Sequence, residues 1–141
     1  MDSITDFRGE YFFLSNFYKT PVTYDGLTYL NSEAAFQAQK CLTLAGKQRF
    51  TDLEPSAAKS LGKRVYLRSD WEQVKVQLMY EVVLAKFKQN STLAERLIAT
   101  GDAHLEEGNN WGDKTWGTVN GVGENHLGKI LMRIRDELKN G

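Results

Sequence analysis

Residues 22–29 read Val-Thr-Tyr-Asp-Gly-Leu-Thr-Tyr and carry the clearest signal for the fold. Asp25 and Gly26 separate two triplets rich in β-branched and aromatic residues. A two-residue Asp-Gly turn favours a β-hairpin, because a type I′ turn needs positive φ at both central positions. The aromatic run at residues 11–14 (Tyr-Phe-Phe-Leu) predicts another strand. The N-terminal third of the chain therefore reads as strands.

Helical patterns fill most of the chain after residue 31. Ser32 is predicted to cap a helix that runs to about Leu44, and Ser69 with Glu72 forms the capping-box pattern at the start of a helix beginning at Ser69. Three further helices are predicted, over residues 55–61, around residues 93–98 and over residues 127–138. We therefore predict an α+β fold in a single domain spanning residues 1–141, with a small, mostly antiparallel sheet packed among several helices.

The composition is that of a globular protein and argues against several classes of partner. The chain has 141 residues with 18 basic and 18 acidic side chains. This balance argues against a broad electrostatic grip on DNA or on an anionic membrane, but it leaves room for a local basic pocket. The single cysteine, Cys41, cannot form an intramolecular disulfide. No apolar run approaches the roughly 20 residues of a membrane span, and no secretory signal is evident, so we expect a cytoplasmic protein with no membrane partner.

A polar stripe on the predicted helix after Ser32 is the first candidate site. Glu33, Gln37 and Lys40 share one helix face at positions i, i+4 and i+7. Ala34, Ala35, Ala38 and Cys41 are small and point elsewhere, which would let the helix sit tightly against a sheet and hold the stripe rigidly. The alternative is a capped helix whose charged face is simply solvated.

A loop rich in glycine, asparagine and tryptophan at residues 107–117 is the second candidate site. Trp111 and Trp116 offer flat rings that suit stacking on a base or a sugar. Asp113 lies three residues before Trp116, which places a carboxylate beside a stacking surface. The alternative is that the tryptophans close one end of the core and Asp113 caps a turn.

The glycine-rich residues 120–129 are the third candidate. Gly123 to Lys129 matches part of a P-loop, but Ile130 stands where a Ser or Thr must hold magnesium, so a Walker A motif is rejected. The pattern still predicts a turn that opens a helix and offers backbone N–H groups to a phosphate.

Metal catalysis is not expected. His104, His126 and Cys41 show no ligand spacing, so we predict neither a metal site nor a cofactor. A separate group of basic residues either steers an anion or forms a solvated rim; it comprises Lys59, Lys63, Arg64 and Arg68.

An ordered set of short motifs runs along nearly the whole chain. The motifs are Phe-Arg-Gly-Glu-Tyr at 7–11, Leu-Ser-Asn-Phe-Tyr at 14–18, Ser32-Glu33 through Gln37-Ala38-Gln39-Lys40, Arg-Ser-Asp-Trp-Glu at 68–72 with Lys75 and Met79, Ala85-Lys86-Phe87 with Gln89-Asn90, Thr-Gly-Asp at 100–102, Asp113 with Trp116-Gly117, and Gly123, Asn125 and Leu127-Gly128 with Leu131, Met132 and Arg135. This ordered set resembles the NADAR superfamily, the YbiA-like proteins.

The resemblance implies an α+β fold and N-glycosidase activity without a metal or an organic cofactor. Relatives act on early riboflavin-pathway intermediates and cleave ribose 5-phosphate from a diaminopyrimidine, whereas others remove ADP-ribose from guanine in nucleic acid. The family name records a predicted link to NAD and ADP-ribose metabolism. The implied partner is thus a small phosphorylated, nucleotide-like substrate, with ADP-ribosylated nucleic acid as the alternative.

The resemblance also assigns residues. It implies that Glu33, Lys40 and Asp113 are catalytic. The residues expected to bind substrate are Asn16, Phe17, Gln37, Trp111, Trp116 and Asn125, of which Trp111 is the weaker case because many relatives lack a tryptophan there. The chain departs from the family pattern at Ala34-Ala35, where many relatives carry a His and an aromatic residue. That change puts substrate preference in question.

A mechanism with two open choices follows. Glu33 would stabilise an oxocarbenium-like transition state or orient water, and Asp113 would act as general acid and base. Lys40 would either pair with a phosphate or form a Schiff base with the opened sugar. No cation stands beside Lys40 on the predicted helix face, so the sequence favours the phosphate role. Two rival functions are a non-catalytic module that binds ADP-ribose or NAD, and a small protein-interaction domain.

Overall fold

The computed structural model of the protein describes residues 3–141, and the chain forms two compact units. We call residues 16–89 the hairpin unit, and residues 3–15 with 90–141 the terminal unit. In chain order the elements are β1 (Ser3–Ile4), a 3-10 helix (Gly9–Leu14), β2 (Lys19–Tyr24), β3 (Leu27–Asn31), α1 (Ser32–Ala38), α2 (Leu44–Gln48), α3 (Pro55–Gly62), α4 (Trp71–Lys88), α5 (Ser91–Ile98), β4 (His104–Leu105) and α6 (His126–Asn140).

The hairpin predicted at residues 22–29 is present in the hairpin unit. Strands β2 and β3 pair antiparallel, with Val22 opposite Tyr29. Asp25 has φ of 51° and Gly26 has φ of 87°, so both central residues have the positive φ that a type I′ turn requires. Val22 and Tyr29 are both buried, and β2 and β3 both pack against α1.

Helix α1 lies at the centre of the hairpin unit. It contacts β2, β3, α2, α3 and α4, and all of its residues are buried. Its N-cap is Asn31, whose side chain accepts a hydrogen bond from the Ala34 N–H at 2.7 Å. The prediction that Ser32 caps this helix is wrong, because Ser32 already lies within α1 and its hydroxyl donates to Asn16 Oδ1 at 2.9 Å.

Helix α1 ends at Ala38 and does not continue to Leu44 as predicted. The Lys40 N–H donates to a carbonyl three residues back, which tightens the chain into a turn. Thr43 then caps α2 by accepting a hydrogen bond from the Gly46 N–H at 3.1 Å. The predicted helix is therefore shortened, a separate helix begins at Leu44, and Lys40 lies in the turn between α1 and α2.

Helix α4 is the longest helix, but the predicted capping box does not form. Its N-cap is Asp70, with no side-chain capping bond. The Asp70 carboxylate instead pairs with the Arg68 guanidinium through bonds of 2.6 Å and 3.1 Å. Glu72 pairs with Lys75 at 2.6 Å. Since each carboxylate has a nearby cation, charge-assisted bonds replace the predicted pattern.

The terminal unit contains a short parallel pair, β1 and β4, in which Ser3 lies opposite His104. The two helices predicted after residue 90 are confirmed as α5 and α6, which contact each other, and α6 also contacts β4. The Arg135 guanidinium is buried and donates to Thr100 Oγ1 at 2.9 Å and to the Ala103 carbonyl at 2.8 Å. These bonds tie α6 to the turn after α5.

Residues 11–14 form part of the 3-10 helix, so the strand predicted there is wrong. A half-buried strand would bury alternate side chains. Here the adjacent side chains of Phe13 and Leu14 are both buried, whereas Phe12 is exposed. The Arg96 guanidinium packs over the Phe13 ring at 4.1 Å and donates to the Glu10 carbonyl at 2.7 Å. The aromatic residues of this segment therefore pack from a helix and not from a strand.

The α+β fold is confirmed. Residues 3–141 contain six α-helices, one 3-10 helix and four short strands. The strands do not form the one small sheet that we predicted, because β1–β4 and β2–β3 are separate two-stranded sheets, and only β2–β3 is antiparallel. Within this described part of the chain, no helix has both the length and the apolar character needed to cross a membrane.

Candidate active site

Glu33 is held in a buried position at the first turn of α1. Its side chain is 8% exposed, and its backbone N–H donates to the Asn16 carbonyl at 3.1 Å. The Gln37 Nε2 donates to Glu33 Oε2 at 2.7 Å, as their i, i+4 spacing allows. The alternative of a solvated helix face is therefore wrong for Glu33 and Gln37. A buried carboxylate in a fixed direction is a group that can act on a substrate cation.

Asn16 anchors the start of α1. Its side chain is buried, its Oδ1 accepts the Ser32 hydroxyl, and its Nδ2 donates to Met79 Sδ at 3.3 Å. Through these bonds Asn16 positions Glu33, and its polar atoms are already used within the protein. The ring of the neighbouring Phe17 is 39% exposed. Substrate contacts by Asn16 and Phe17 stay predictions.

Gln37 connects α1 to α3 as well as to Glu33. Its Oε1 is buried and accepts no hydrogen bond from any donor in residues 3–141. A Cβ added to Gly62 would lie 2.0 Å from this oxygen. A side chain at position 62 would therefore displace the Gln37 carboxamide, which packs closely against α3. This close packing positions the Gln37 carboxamide, and through it the Glu33 carboxylate.

Lys40 lies against the C-terminal end of α3. Its Nζ donates to the Gly62 carbonyl at 3.1 Å and lies 5.8 Å from the centroid of the Trp71 ring. Burial lowers the pKa of Lys40, Glu33 opposes this shift, and the Lys63 ammonium adds to it. The prediction considered only the face of the helix that carries Lys40, whereas the nearby cation, Lys63, comes from the end of α3 and directly follows the carbonyl to which Lys40 is bound.

Asp113 organises the loop of the terminal unit. Its Oδ1 accepts hydrogen bonds from the N–H groups of Thr115 at 3.0 Å and Trp116 at 2.9 Å. The Asn109 side chain braces the same turn, accepting from the Asp113 N–H at 3.0 Å and donating to the Asp113 carbonyl at 2.8 Å. Turn capping thus accounts for one oxygen of Asp113. The acid–base role of Asp113 stays a prediction.

The two tryptophans of this loop differ in exposure. Trp111 is 57% exposed, whereas Trp116 is half-buried with its ring 6.0 Å from the His126 ring in an edge arrangement. Stacking of either ring on a substrate stays a prediction.

Asn125 and the glycine-rich turn have structural functions in this unit. Asn125 has φ of 53°, its Oδ1 accepts from the Glu107 N–H at 3.1 Å, and its Nδ2 donates to the Leu105 carbonyl at 3.0 Å. The backbone N–H groups around the start of α6 also have partners: those of residues 124, 125, 126 and 127 donate to the carbonyls of residues 114, 117, 115 and 116. The prediction that this turn offers its N–H groups to a phosphate is therefore wrong. Substrate binding by the Asn125 side chain stays a prediction.

Lys86 on α4 is a buried cation that the sequence analysis did not select as a candidate. It is 1% exposed, its Nζ lies 5.8 Å from the centroid of the Tyr18 ring, and desolvation lowers its pKa to about 7. Its position gave a signal, since it shares the buried side of α4 with Val82, Val83 and Phe87. Lysine is rarely fully buried, so its place in the apolar pattern of this helix indicates an unusual residue.

The candidate residues fall into two sets. The hairpin unit brings together Glu33, Gln37, Lys40 and Asn16, and the terminal unit contains Asp113, Trp116 and Asn125 in one hydrogen-bonded loop. A search of residues 3–141 for three or more His, Cys, Asp and Glu side chains that could hold a metal ion finds no such cluster. Metal-independent activity stays a prediction.

Known proteins resemble this chain over most of its length. N-glycosidase YbiA of Escherichia coli is 37% identical over 140 residues, which cover 96% of this chain and 85% of that protein. A riboflavin biosynthesis protein of Vibrio vulnificus is 38% identical over 131 residues, and this chain spans only 35% of its length. The NMR structure of Escherichia coli YbiA has a TM-score of 0.86 at 36% identity, covering 99% of this chain and 86% of that one.

The family assignment follows from the extent of these matches. The NADAR domain matches residues 5–139, which include nearly all of both units and every candidate residue. The chain therefore belongs to the NADAR domain family.

Proposed function

We propose that this protein is an N-glycosidase that hydrolyses the bond between a ribose phosphate and a nitrogen base. The proposed substrates are the pyrimidine ribotides of the early riboflavin pathway. Relatives named N-glycosidase and riboflavin biosynthesis protein support this choice. The observation that carries the proposal is the Glu33 carboxylate, which is buried, clamped by Gln37 at 2.7 Å and located on α1, directly before the turn that holds Lys40.

Glu33 suits the charge that develops during cleavage. As the bond from the anomeric carbon to the base breaks, the bonding electrons leave with the base and positive charge grows on the sugar ring. A carboxylate held in a fixed orientation stabilises that charge without first having to reorganise. In a site shielded from water, this interaction is stronger than it would be at the surface. The clamp from Gln37 and the anchor from Asn16 supply the fixed orientation.

The environment of Lys40 supports a covalent route. A nucleophilic lysine has to be neutral, and desolvation with a cationic neighbour favours the neutral amine. Burial has the largest effect at Lys40 and lowers its pKa; Glu33 opposes this shift, and Lys63 adds a smaller lowering. In this route the amine adds to the anomeric carbon, the base leaves with a proton, and the ring oxygen takes the amine proton as the sugar opens to a Schiff base. Water then hydrolyses the Schiff base and regenerates Lys40.

Asp113 is our proposed general acid and base. One of its oxygens accepts two backbone N–H bonds, which fixes the carboxylate in the loop. Protonating the departing base and then activating water would be its part of the reaction. Trp116, whose ring is held against His126, would supply the stacking surface for the base.

The test is a turnover assay with several candidate substrates. Purified protein is incubated separately with aminated pyrimidine ribotides, NAD, ADP-ribose and DNA that carries ADP-ribosyl guanine, with and without EDTA. Released base and sugar are measured by mass spectrometry. We expect base and ribose phosphate from the ribotides, at the same rate with EDTA. Release only from ADP-ribosyl guanine would reassign the substrate, and binding without release from any compound would favour the non-catalytic module.

A further inference from the structure

The hairpin unit contains a cavity that the proposed reaction does not use. It has a volume of about 410 Å³ and is located where the turn before α2 faces the segment that follows α3. Glu33, Gln37 and Lys40 are not among its lining residues. Its volume lies within the range of roughly 300–1,000 Å³ that is usual for small-molecule sites.

Part of the cavity lining is apolar and unusually exposed. Leu42 and Tyr66 line it and are 71% and 95% exposed, and Val65 lies between Tyr66 and the end of α3. An aromatic ring gains from covering its faces, so a tyrosine that leaves nearly all of its surface in water has a face free for a ligand. Together these three side chains offer a surface suited to a flat ring.

Another part of the lining is cationic. Arg49 lines it and is exposed, and among residues 3–141 no carboxylate pairs with its guanidinium. Arg68 also lines it, but Asp70 already neutralises that side chain through the 2.6 Å ion pair. Arg49 therefore offers an open position for an anion.

The surrounding sequence carries the same positive bias. Residues 41–70 contain six basic and three acidic side chains, although the whole chain is balanced at 18 of each. The floor of the cavity is formed in part by Cys41. Burial raises the pKa of its thiol, whereas Arg49, Lys47 and Lys40 act against that shift. Three cations near one buried atom give this floor a positive potential, which attracts anions.

A ligand that matches both the apolar and the cationic parts of the lining must join a flat ring to an anionic group within one small molecule. We infer that this cavity binds a nucleotide, with the base against Leu42, Val65 and Tyr66 and the phosphate at Arg49. A free mononucleotide and one unit of a nucleic acid strand share this chemistry, and the test below separates them. The inference does not depend on the proposed N-glycosidase reaction.

Cys41 provides a direct readout of occupancy. It is the only cysteine in the sequence and lines the cavity, so alkylation by iodoacetamide reports on this site alone. We expect adenosine monophosphate (AMP) at tenfold excess over its dissociation constant to slow alkylation about tenfold, because only the unoccupied fraction reacts. Mass spectrometry of the modified peptide measures the rate.

Matched variants test the two parts of the site. Tyr66→Ala should weaken AMP protection about tenfold, the usual effect of removing a stacking ring, whereas Tyr66→Phe should retain it. Arg49→Ala should also weaken protection. Arg64→Ala is the control, since Arg64 is exposed, bonds to Ser60 Oγ at 3.3 Å and does not line the cavity. Thermal unfolding confirms that each variant is folded.

The remaining experiments distinguish a free mononucleotide from a nucleic acid strand and can overturn the inference. Protection by an oligothymidine strand at far lower concentration than by AMP supports the same site with a strand as its source. Equal protection by inorganic phosphate and AMP would overturn it, because the base would then contribute nothing, and so would the absence of protection by any nucleotide. In the Glu33→Gln variant, AMP should protect Cys41 from alkylation as well as it does in the wild type. A loss of protection in that variant would place AMP at Glu33 and overturn the inference, whereas retained protection without turnover in the wild type would leave it standing while the proposed function failed.

Discussion

Residues 33–40 and residues 107–125 were both predicted to carry function, but the structure uses their polar side chains in different ways. In the first region Glu33 and Gln37 are buried and bond to each other, and Gln37 Oε1 has no donor within the described chain. In the second region the oxygens of Asp113 and Asn125 accept backbone N–H bonds of the loop itself. Buried hydrogen-bonding capacity remains in the first region and is largely consumed in the second.

This difference teaches which polar residues the fold needs. A loop without regular structure has to satisfy its backbone groups with side chains, so its Asp and Asn residues are required for folding whether or not they bind substrate. A helix satisfies its own backbone, so buried polar side chains on it are not needed for that purpose. Burying them costs free energy, which makes a functional role the better explanation. The first region is therefore the stronger candidate for chemistry.

The largest effect is expected for Glu33→Gln. The substitution removes the negative charge but keeps an oxygen that can accept the bond from Gln37. We expect kcat to fall by roughly 10³-fold, within the range usual for a catalytic carboxyl group, while the midpoint of thermal unfolding changes little. Steady-state kinetics and calorimetry measure the two quantities. Full activity would contradict the assignment, and unfolding without a specific kinetic defect would show that Glu33 is structural.

Lys40→Arg is expected to have the second largest effect. If the lysine amine attacks the sugar, arginine cannot replace it, and kcat should fall by about 10²-fold with the residual activity due to Glu33. Borohydride added during turnover should trap an adduct on Lys40 in the wild type, and peptide mapping should find none in the variant. Lys63→Ala is the matched control, since it leaves the amine in place but removes a neighbouring cation that lowers its pKa.

The opposite pattern would restore the phosphate role for Lys40. In that case no adduct forms, and arginine raises KM while leaving kcat nearly unchanged, because the positive charge is retained. Either result bears on the comparison of the two regions, since both roles require a lysine that touches the substrate.

Sequence reasoning predicted the first region better than the second because periodicity carries more information than loop composition. The i, i+4 spacing of Glu33 and Gln37 predicted their common face. The hairpin turn followed from the preference of the Asp25-Gly26 pair for positive φ at both positions. The end of α1 was missed because a local cap at Thr43 competes with helix propagation. Non-local contacts could not be predicted: the proximity of Lys63 to Lys40 depends on how α3 approaches α1 at Gly62. Nor does a sequence show which loop carbonyls will take the N–H groups at the start of α6.

Asp113 tests the second region, where a smaller effect on activity is expected. Asp113→Asn keeps an oxygen for the Thr115 and Trp116 N–H groups, so stability should match the wild type. If the carboxylate also transfers protons, kcat should fall by about 10²-fold. Asp113→Ala should in addition lose about 1 kcal/mol of stability, as is usual when a capping side chain is removed. An Asp113→Asn variant with normal kinetics would show that Asp113 only caps the turn.

Lys86 offers the smallest expected effect and tests whether a buried charge outside both regions acts on stability alone. Its pKa of about 7 lies below the 10.5 of an ordinary lysine. Between these values the unfolded chain holds a proton that the folded chain has released, so stability rises with pH through this window and is lost as pH falls through about 7. Lys86→Met keeps the apolar stem and removes the titration. We expect the stability of the wild type relative to Lys86→Met to be about 3 kcal/mol lower at pH 6 than at pH 9. Urea unfolding at the two pH values measures this, and the histidines cancel because both proteins contain them. Turnover by Lys86→Met should equal that of the wild type at pH 8. A parallel pH dependence in the two proteins would show that Lys86 is charged in the folded state, and a loss of turnover with unchanged stability would add Lys86 to the groups that serve the reaction.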